Sequence, residues 1–258
     1  MAHTPLANSI DPTIRRCMDR IFRGLMTTTR PGPLSQYFYL FMSLLIAAVV
    51  IYGFSHTIDQ NLIHATPVRP WILYLHATVF CGWVVFFIVQ SALVRTHNVR
   101  VHRTLGWFGV GLATLIVVLG ISTAITMARF RILHFHSSEA APFIAIQFWD
   151  ISSFAVFFAL AIYWRRKPEY HRRLVLLASC MLMAAAFARF PQLNFRLSYV
   201  GVDTLVCLGI LRDLIVTRGI QTVYRYALPA VIVGQVVAFH LFMAAPPRWV
   251  AIANAILR

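Results

Sequence analysis

The chain has 258 residues, of which 59% are hydrophobic and only 12% are charged. An average soluble domain is about half apolar and about a quarter charged, so the composition excludes an ordinary soluble protein. The charges are 23 Lys and Arg against 8 Asp and Glu, a formal net charge of +15. Such an excess in a soluble chain would suggest nucleic-acid binding, but in so apolar a chain it predicts basic loops between membrane spans.

Apolar stretches long enough to cross a bilayer recur along the chain, since a span needs about 20 residues in helical form. Seven qualify, at 35–54, 71–94, 105–127, 142–164, 174–190, 198–216 and 224–242. The sequence therefore predicts an all-α polytopic bundle of seven transmembrane helices. We divide it into a basic amphipathic cytoplasmic segment (1–34), the seven-helix transmembrane domain (35–243) and a short interfacial tail (244–258), anchored by Trp249.

The distribution of Lys and Arg predicts the orientation of the bundle. Sixteen of the 23 lie before the first span or in the second, fourth and sixth loops. Because cytoplasmic loops retain basic residues, the N-terminus is predicted to be cytoplasmic and the C-terminus outside, in a bacterial cytoplasmic (inner) membrane. Residues 11–26 form either an amphipathic helix lying on anionic phospholipid headgroups or a disordered basic tail.

Several classes of function are excluded by residues that are absent. Lys167 is the only lysine and lies in a basic loop, so no lysine in a span is available for a retinal Schiff base. The four cysteines have no paired spacing and are interpreted as reduced packing residues. Motifs for nucleotide binding, zinc proteolysis and serine hydrolysis are also absent.

Ionisable residues lie in the predicted outer half of five spans, where each costs on the order of 3 kcal/mol to insert. They are His76, Asp150, Arg189, Asp203 and His240, and helical spacing puts Gln90 on the same face as His76. The spacing predicts that His76, Asp150, Asp203 and Arg189 converge. Three interpretations are open: an Asp–Arg189 pair with His76 bonded to a carbonyl, a divalent transition-metal site at His76, Asp150 and Asp203, or a proton relay.

A second constellation is predicted at the cytoplasmic side. His102-Arg103 opens the third span and His171-Arg172 precedes the fifth, each after a basic loop. If the two histidines face each other, they are candidate axial ligands of a b-type haem; His76 and His240 would form an outer pair, as in proteins of the cytochrome b561 type. The alternative is that this basic end, including Arg103, Arg172 and Arg173, holds phospholipid headgroups.

Several motifs of the sequence resemble those of a group of uncharacterised seven-helix bacterial inner-membrane proteins. These motifs are the run from Leu75-His76 to Gln90, His102-Arg103-Thr104-Leu105-Gly106, Tyr170-His171-Arg172-Arg173-Leu174, and Asp203. The resemblance covers about 67–218 and implies the fold without an activity. We therefore expect a metal- or haem-binding membrane protein of redox or cofactor-handling type. The alternatives are a proton-coupled transporter or permease using the same acids, and a non-catalytic accessory or assembly subunit.

Overall fold

The computed structural model describes residues 32–258, so the predicted amphipathic stretch 11–26 and most of the 1–34 segment lie outside the described residues. Within that range all regular structure is helical. The helices are α1 Pro33–Ser55, α2 Trp71–Arg95, α3 Val99–Phe135, α4 Ala140–Tyr163, α5 Pro168–Met181, α6 Ala184–Phe187, α7 Ser198–Thr217, α8 Thr222–Ala244 and α9 Pro247–Ile256. One turn of π-helix (Asp59–Ile63) and one of 3₁₀-helix (Phe195–Leu197) lie in the connections.

Five of the helices described, α1, α2, α3, α4 and α8, are long and apolar enough to cross a membrane. Their bounds agree with the predicted spans to within a few residues, except that α3 is longer at both ends. The predicted fifth span is divided between α5 and the four-residue α6. The predicted sixth corresponds to α7, which carries Asp203, Arg212 and Asp213. Residues 32–258 thus form an all-helical structure with five candidate membrane-spanning helices.

Helix α3 is longer than a membrane span requires, and its C-terminal end contacts other segments. With 37 residues α3 is about 55 Å long, against a hydrocarbon core of about 30 Å. The Arg69 guanidinium lies 5.1 Å from the ring centre of Phe130, and Arg129 Nε donates to the Leu257 carbonyl over 2.8 Å. The tail is helical, and its Trp249 indole donates to the Pro142 carbonyl, so it packs against the bundle.

Helix α5 lies at the centre of the bundle. Leu177, Ala178 and Cys180 are fully buried on successive faces of one turn, and α5 contacts α1, α4, α7 and α8. From Arg173 to Met181 the helix is buried on nearly all sides, so this part needs no separate lipid-facing stripe, which explains how 14 residues are stable here. Long helices that follow each other in the chain run in opposite directions. The starts of α1, α3, α5 and α8 therefore lie at the same end as the C-termini of α2, α4 and α7. We call this end, with its arginine-rich loops, the basic end.

Candidate functional site

A buried ion network joins α5, α7 and α1 at the basic end. Arg173 on α5 donates from Nε to Asp213 Oδ2 over 2.6 Å and from Nη2 to Oδ1 over 2.8 Å. Arg212 Nη1 donates to the same Oδ1 over 2.9 Å, and its Nη2 lies 3.5 Å from the Ser35 hydroxyl of α1. Arg173 and Asp213 are both 0% exposed. Two guanidinium groups therefore share one buried carboxylate.

Glu169 extends this network towards the surface. It accepts hydrogen bonds from Arg173, one turn later on α5, and from Arg172. Partial burial disfavours its charged form, but the Arg173 hydrogen bond and the Arg172 charge outweigh this and hold the pKa of Glu169 below its ordinary value. The prediction that Arg173 faces lipid headgroups is wrong, because two carboxylates hold its guanidinium inside the bundle.

The two histidines of the basic end, considered above as a haem pair on the condition that they face each other, lie side by side. The ring centres of His102 on α3 and His171 on α5 are 6.2 Å apart, with an angle of 80° between the ring planes. His171 Nδ1 lies 2.9 Å from the Ala161 carbonyl of α4. Because a carbonyl only accepts, Nδ1 carries the hydrogen, and in the neutral ring Nε2 keeps its lone pair.

The surroundings of His102 leave polar atoms without partners. Gln90 Nε2 on α2 donates to the His102 carbonyl over 3.4 Å, which ties the end of α2 to the start of α3. Neither His102 Nδ1 nor Gln90 Oε1 has a hydrogen-bond partner in the described part of the chain, although both atoms are buried. One turn along α3, a Cβ added at Gly106 would meet no atom within 4 Å. The pair thus adjoins open space on the helix face that carries His102.

The predicted outer-half acids each have a separate neutral partner. The Tyr199 hydroxyl of α7 donates to Asp150 Oδ1 on α4 over 3.0 Å. Gln235 Nε2 of α8 donates to Asp203 Oδ1 on α7, also over 3.0 Å. Within residues 32–258, no group of three or more His, Cys, Asp or Glu side chains is arranged to hold a metal ion. The set His76, Asp150 and Asp203 is therefore not assembled as a metal centre.

The other outer-half residues also deviate from the predicted convergence. His76 stacks on Phe80 of its own helix at 3.9 Å between ring centres, and its buried Nδ1 has no partner. Arg189 donates to the Ala185 carbonyl and lies 4.4 Å over the Phe54 ring. In the described residues it forms no ion pair with either acid of the predicted cluster. His240 is exposed, not buried beside His76.

Three polar residues that form the ion network or bind the two acids were not predicted from the sequence. They are Asp213, Tyr199 as the donor to Asp150, and Gln235 as the donor to Asp203. Asp213 directly follows Arg212, so in the sequence it belongs to the basic stretch that ends the predicted sixth span. Tyr199 shares a helix face with Asp203, four residues later, but its hydrogen-bond partner lies on another helix. The sequence does contain a signal for the ion pair of Asp213: an acidic residue lies near the end of an apolar helix, at the same end of the bundle as the arginine-rich start of α5.

No family model, no curated protein and no solved structure matches this chain.

Proposed function

We propose that this is a redox or cofactor-handling membrane protein that binds a b-type haem between His102 and His171 at the basic end. The separation of the two rings supports this most directly. An imidazole nitrogen bonds a transition metal at about 2 Å, so two imidazoles on opposite sides of one metal ion have ring centres about 6 Å apart. The observed separation is 6.2 Å.

The surroundings of the pair fit such a cofactor. The hydrogen bond from His171 Nδ1 to the Ala161 carbonyl fixes the ring and leaves Nε2 as the ligand atom, the common arrangement of metal-binding histidines. The Nδ1 atom of His102 is buried without a hydrogen-bond partner in the described residues and is therefore available to a ligand. The open space beside Gly106 offers room for the edge of a flat macrocycle. When bound, haem would supply one-electron chemistry at iron.

The test is the haem content of protein purified from cells supplied with haem precursor. We expect a reduced-minus-oxidised absorption spectrum typical of a bis-histidine b-type haem, at about one haem per chain. His102→Ala and His171→Ala should each abolish the bound haem, whereas His240→Ala, at an exposed position, should retain it. A haem-free wild-type preparation that also fails to bind added haemin overturns the proposal.

A second pair of variants tests the position of the cofactor without removing a ligand. Gly106→Phe fills space that no atom occupies within 4 Å, so it should leave the fold intact and exclude haem. Gly111→Phe is the matched control, because a Cβ there also meets nothing within 4 Å, at an exposed site on another face of α3. Equal haem content in both variants contradicts the proposed position.

The finer topology is part of this proposal. In it, α5 with α6 forms the fifth of seven spans and α7 the sixth, with the N-terminus in the bacterial cytoplasm and anionic phospholipid headgroups at the basic end. The concentration of arginines in the loops of that end supports the orientation. Alkaline phosphatase fused after residue 258 should be active and a fusion in the 164–167 loop inactive; the reverse pattern contradicts the orientation.

A second candidate function, proton-coupled transport, is supported by the hydrogen bond between Tyr199 and Asp150 in the span region. A carboxyl bonded to a phenol between two helices can exchange a proton through it. In proteoliposomes carrying a pH-sensitive dye, Asp150→Asn should then abolish proton flux, and Asp59→Asn, at an exposed position, should not. Absence of flux in the wild-type protein excludes this function.

A further inference from the structure

A lateral groove on the bundle has the dimensions and the chemistry of a binding site. It lies between α4, the start of α5 and α8, and has a volume of about 460 Å³. Ligand pockets are typically about 300–1,000 Å³. Its walls are almost wholly apolar, while the rim residues Ser152, Val156, Tyr226 and Ala230 are exposed. In the bilayer the groove therefore opens sideways to lipid.

Two residues that line the groove carry hydrogen-bonding groups without partners. The indole Nε1 of Trp149 and the hydroxyl of Ser153, one turn apart on α4, are buried and make no hydrogen bond in the described range. In hydrocarbon an unmet donor costs several kcal/mol, so such groups normally find partners. The indole N–H can only donate, and the hydroxyl can donate as well. Both donors can be satisfied by a ligand that brings an acceptor oxygen.

The depth of these donors distinguishes between classes of lipid. Ser153 is ten residues from Tyr163 at the end of α4, which corresponds to about 15 Å along the helix axis, half of the hydrocarbon thickness. The ester carbonyls of a phospholipid lie at the headgroup boundary and do not reach this level. An uncharged ring with carbonyl groups and an apolar tail does, because it enters the hydrocarbon without a charged head.

The groove also adjoins the proposed haem site. Leu160 and Trp164 line the groove and flank Ala161, whose carbonyl holds His171. Tyr170, which precedes His171, lines it as well. The same segments of α4 and α5 thus form one end of the groove and fix one histidine of the pair.

From the cavity, its two unpartnered donors and their depth, we propose that the groove between α4, α5 and α8 binds a membrane-soluble isoprenoid quinone, whose carbonyl oxygen accepts from Trp149 and Ser153. The assignment of a quinone over other uncharged carbonyl lipids rests on the proposed redox function. Binding itself does not require haem.

The experiment is photolabelling of the whole protein in phospholipid nanodiscs with an azido-quinone that carries a decyl tail. Labelled peptides should map to 149–164 and 222–231, and unlabelled decylquinone should compete. Trp149→Phe combined with Ser153→Ala should weaken competition about tenfold, because two hydrogen bonds in an apolar site are lost. Trp107→Phe, at a tryptophan that is 65% exposed, is the control and should leave the affinity unchanged.

Three results overturn the proposal. The first is label spread evenly over the lipid-facing helices, and the second is unchanged affinity in the double variant. The third is equal competition by decylbenzene, which has the same tail without carbonyl groups and indicates that an acyl chain alone fills the groove. Labelling should persist in His171→Ala, so failure of the haem proposal and failure of the quinone proposal give different results.

Discussion

Neutralising Asp213 should destabilise the protein more than any other single conservative change at the basic end. Its carboxylate is 0% exposed and accepts two hydrogen bonds from Arg173 and one from Arg212. Asp213→Asn keeps the size of the side chain but leaves two buried guanidinium groups beside a neutral amide. Breaking a buried ion pair by removing one partner costs about 3–5 kcal/mol, and we expect a loss in that range.

Arg212→Met supplies an internal comparison. It removes a single hydrogen bond to Asp213 and leaves the two-bond pair with Arg173 in place. It also removes the excess positive charge of the buried trio. We therefore expect a loss of about 1.5 kcal/mol, the lower value for a hydrogen bond to a charged group. Asp59→Asn, in an ion pair whose side chains are 77% and 64% exposed, should change little.

The assay is reversible unfolding by sodium dodecyl sulfate in mixed micelles, followed by circular dichroism, with all variants in one detergent. The expected order of destabilisation is Asp213→Asn, then Arg212→Met, then Asp59→Asn. If Asp213→Asn unfolds at the same detergent fraction as Asp59→Asn, the buried network contributes nothing to stability and the reasoning is refuted.

Three further outcomes follow from the same contacts. Glu169→Gln should lower the free energy of unfolding at neutral pH by less than about 1 kcal/mol. The pKa of Glu169 in the folded protein lies below its ordinary value of about 4.3, so the wild type should lose this stabilisation as the pH falls from about 4.3 to the folded pKa. The variant has no carboxyl group at this position and should not show this loss. Gly234→Ala, whose Cβ would lie 1.9 Å from the Trp149 ring, should cost about 1–3 kcal/mol by the same unfolding assay, and Gly111→Ala almost nothing. Tyr199→Phe should cost about 1–3 kcal/mol by leaving Asp150 without its donor, and an unchanged unfolding midpoint contradicts the importance of that bond.

The helices could be predicted from sequence because a span leaves a simple signature, a long apolar run between polar residues. That signature cannot distinguish a lipid-facing helix from a central one. Helix α5 is less uniformly apolar than the others and is surrounded by them, so its length is set by protein packing. The predicted fifth span missed the break at Leu182 and Met183 for this reason.

The candidate sites were predictable to different extents. The likeness of two His-Arg motifs at helix starts placed His102 and His171 at one end of the bundle, but only the structure shows that their rings lie together. The direct partners of the predicted outer-half residues could not be predicted, because helical spacing specifies which residues share a face but not which helix that face meets. Asp150 meets Tyr199 and Asp203 meets Gln235, and both partners are neutral residues that no rule about charge selects.

The first two turns of α5 connect three of the features described above. Glu169 and Arg173, four residues apart, face the ion network, and Tyr170 and Leu174 line the groove. His171 lies between them and faces His102. Successive residues on a helix point about 100° apart, so these residues lie on three faces of α5 that contact the ion network, the groove and His102. A run of basic and aromatic residues that suggests a headgroup-binding loop is here the contact surface of a central helix.

This arrangement makes the ion network a determinant of the histidine pair. Arg173 makes its two-bond contact with Asp213 two residues after His171, and we expect this contact to fix the rotation of α5 that directs His171 towards His102. In the haem-bound protein proposed above, Asp213→Asn should therefore speed haem loss to an apo-globin acceptor even under conditions in which the variant remains folded, although Asp213 is not a proposed ligand. Arg212→Met keeps that two-bond contact and should release haem at the wild-type rate. Equal release from both variants would show that the rotation of α5 is fixed by packing alone.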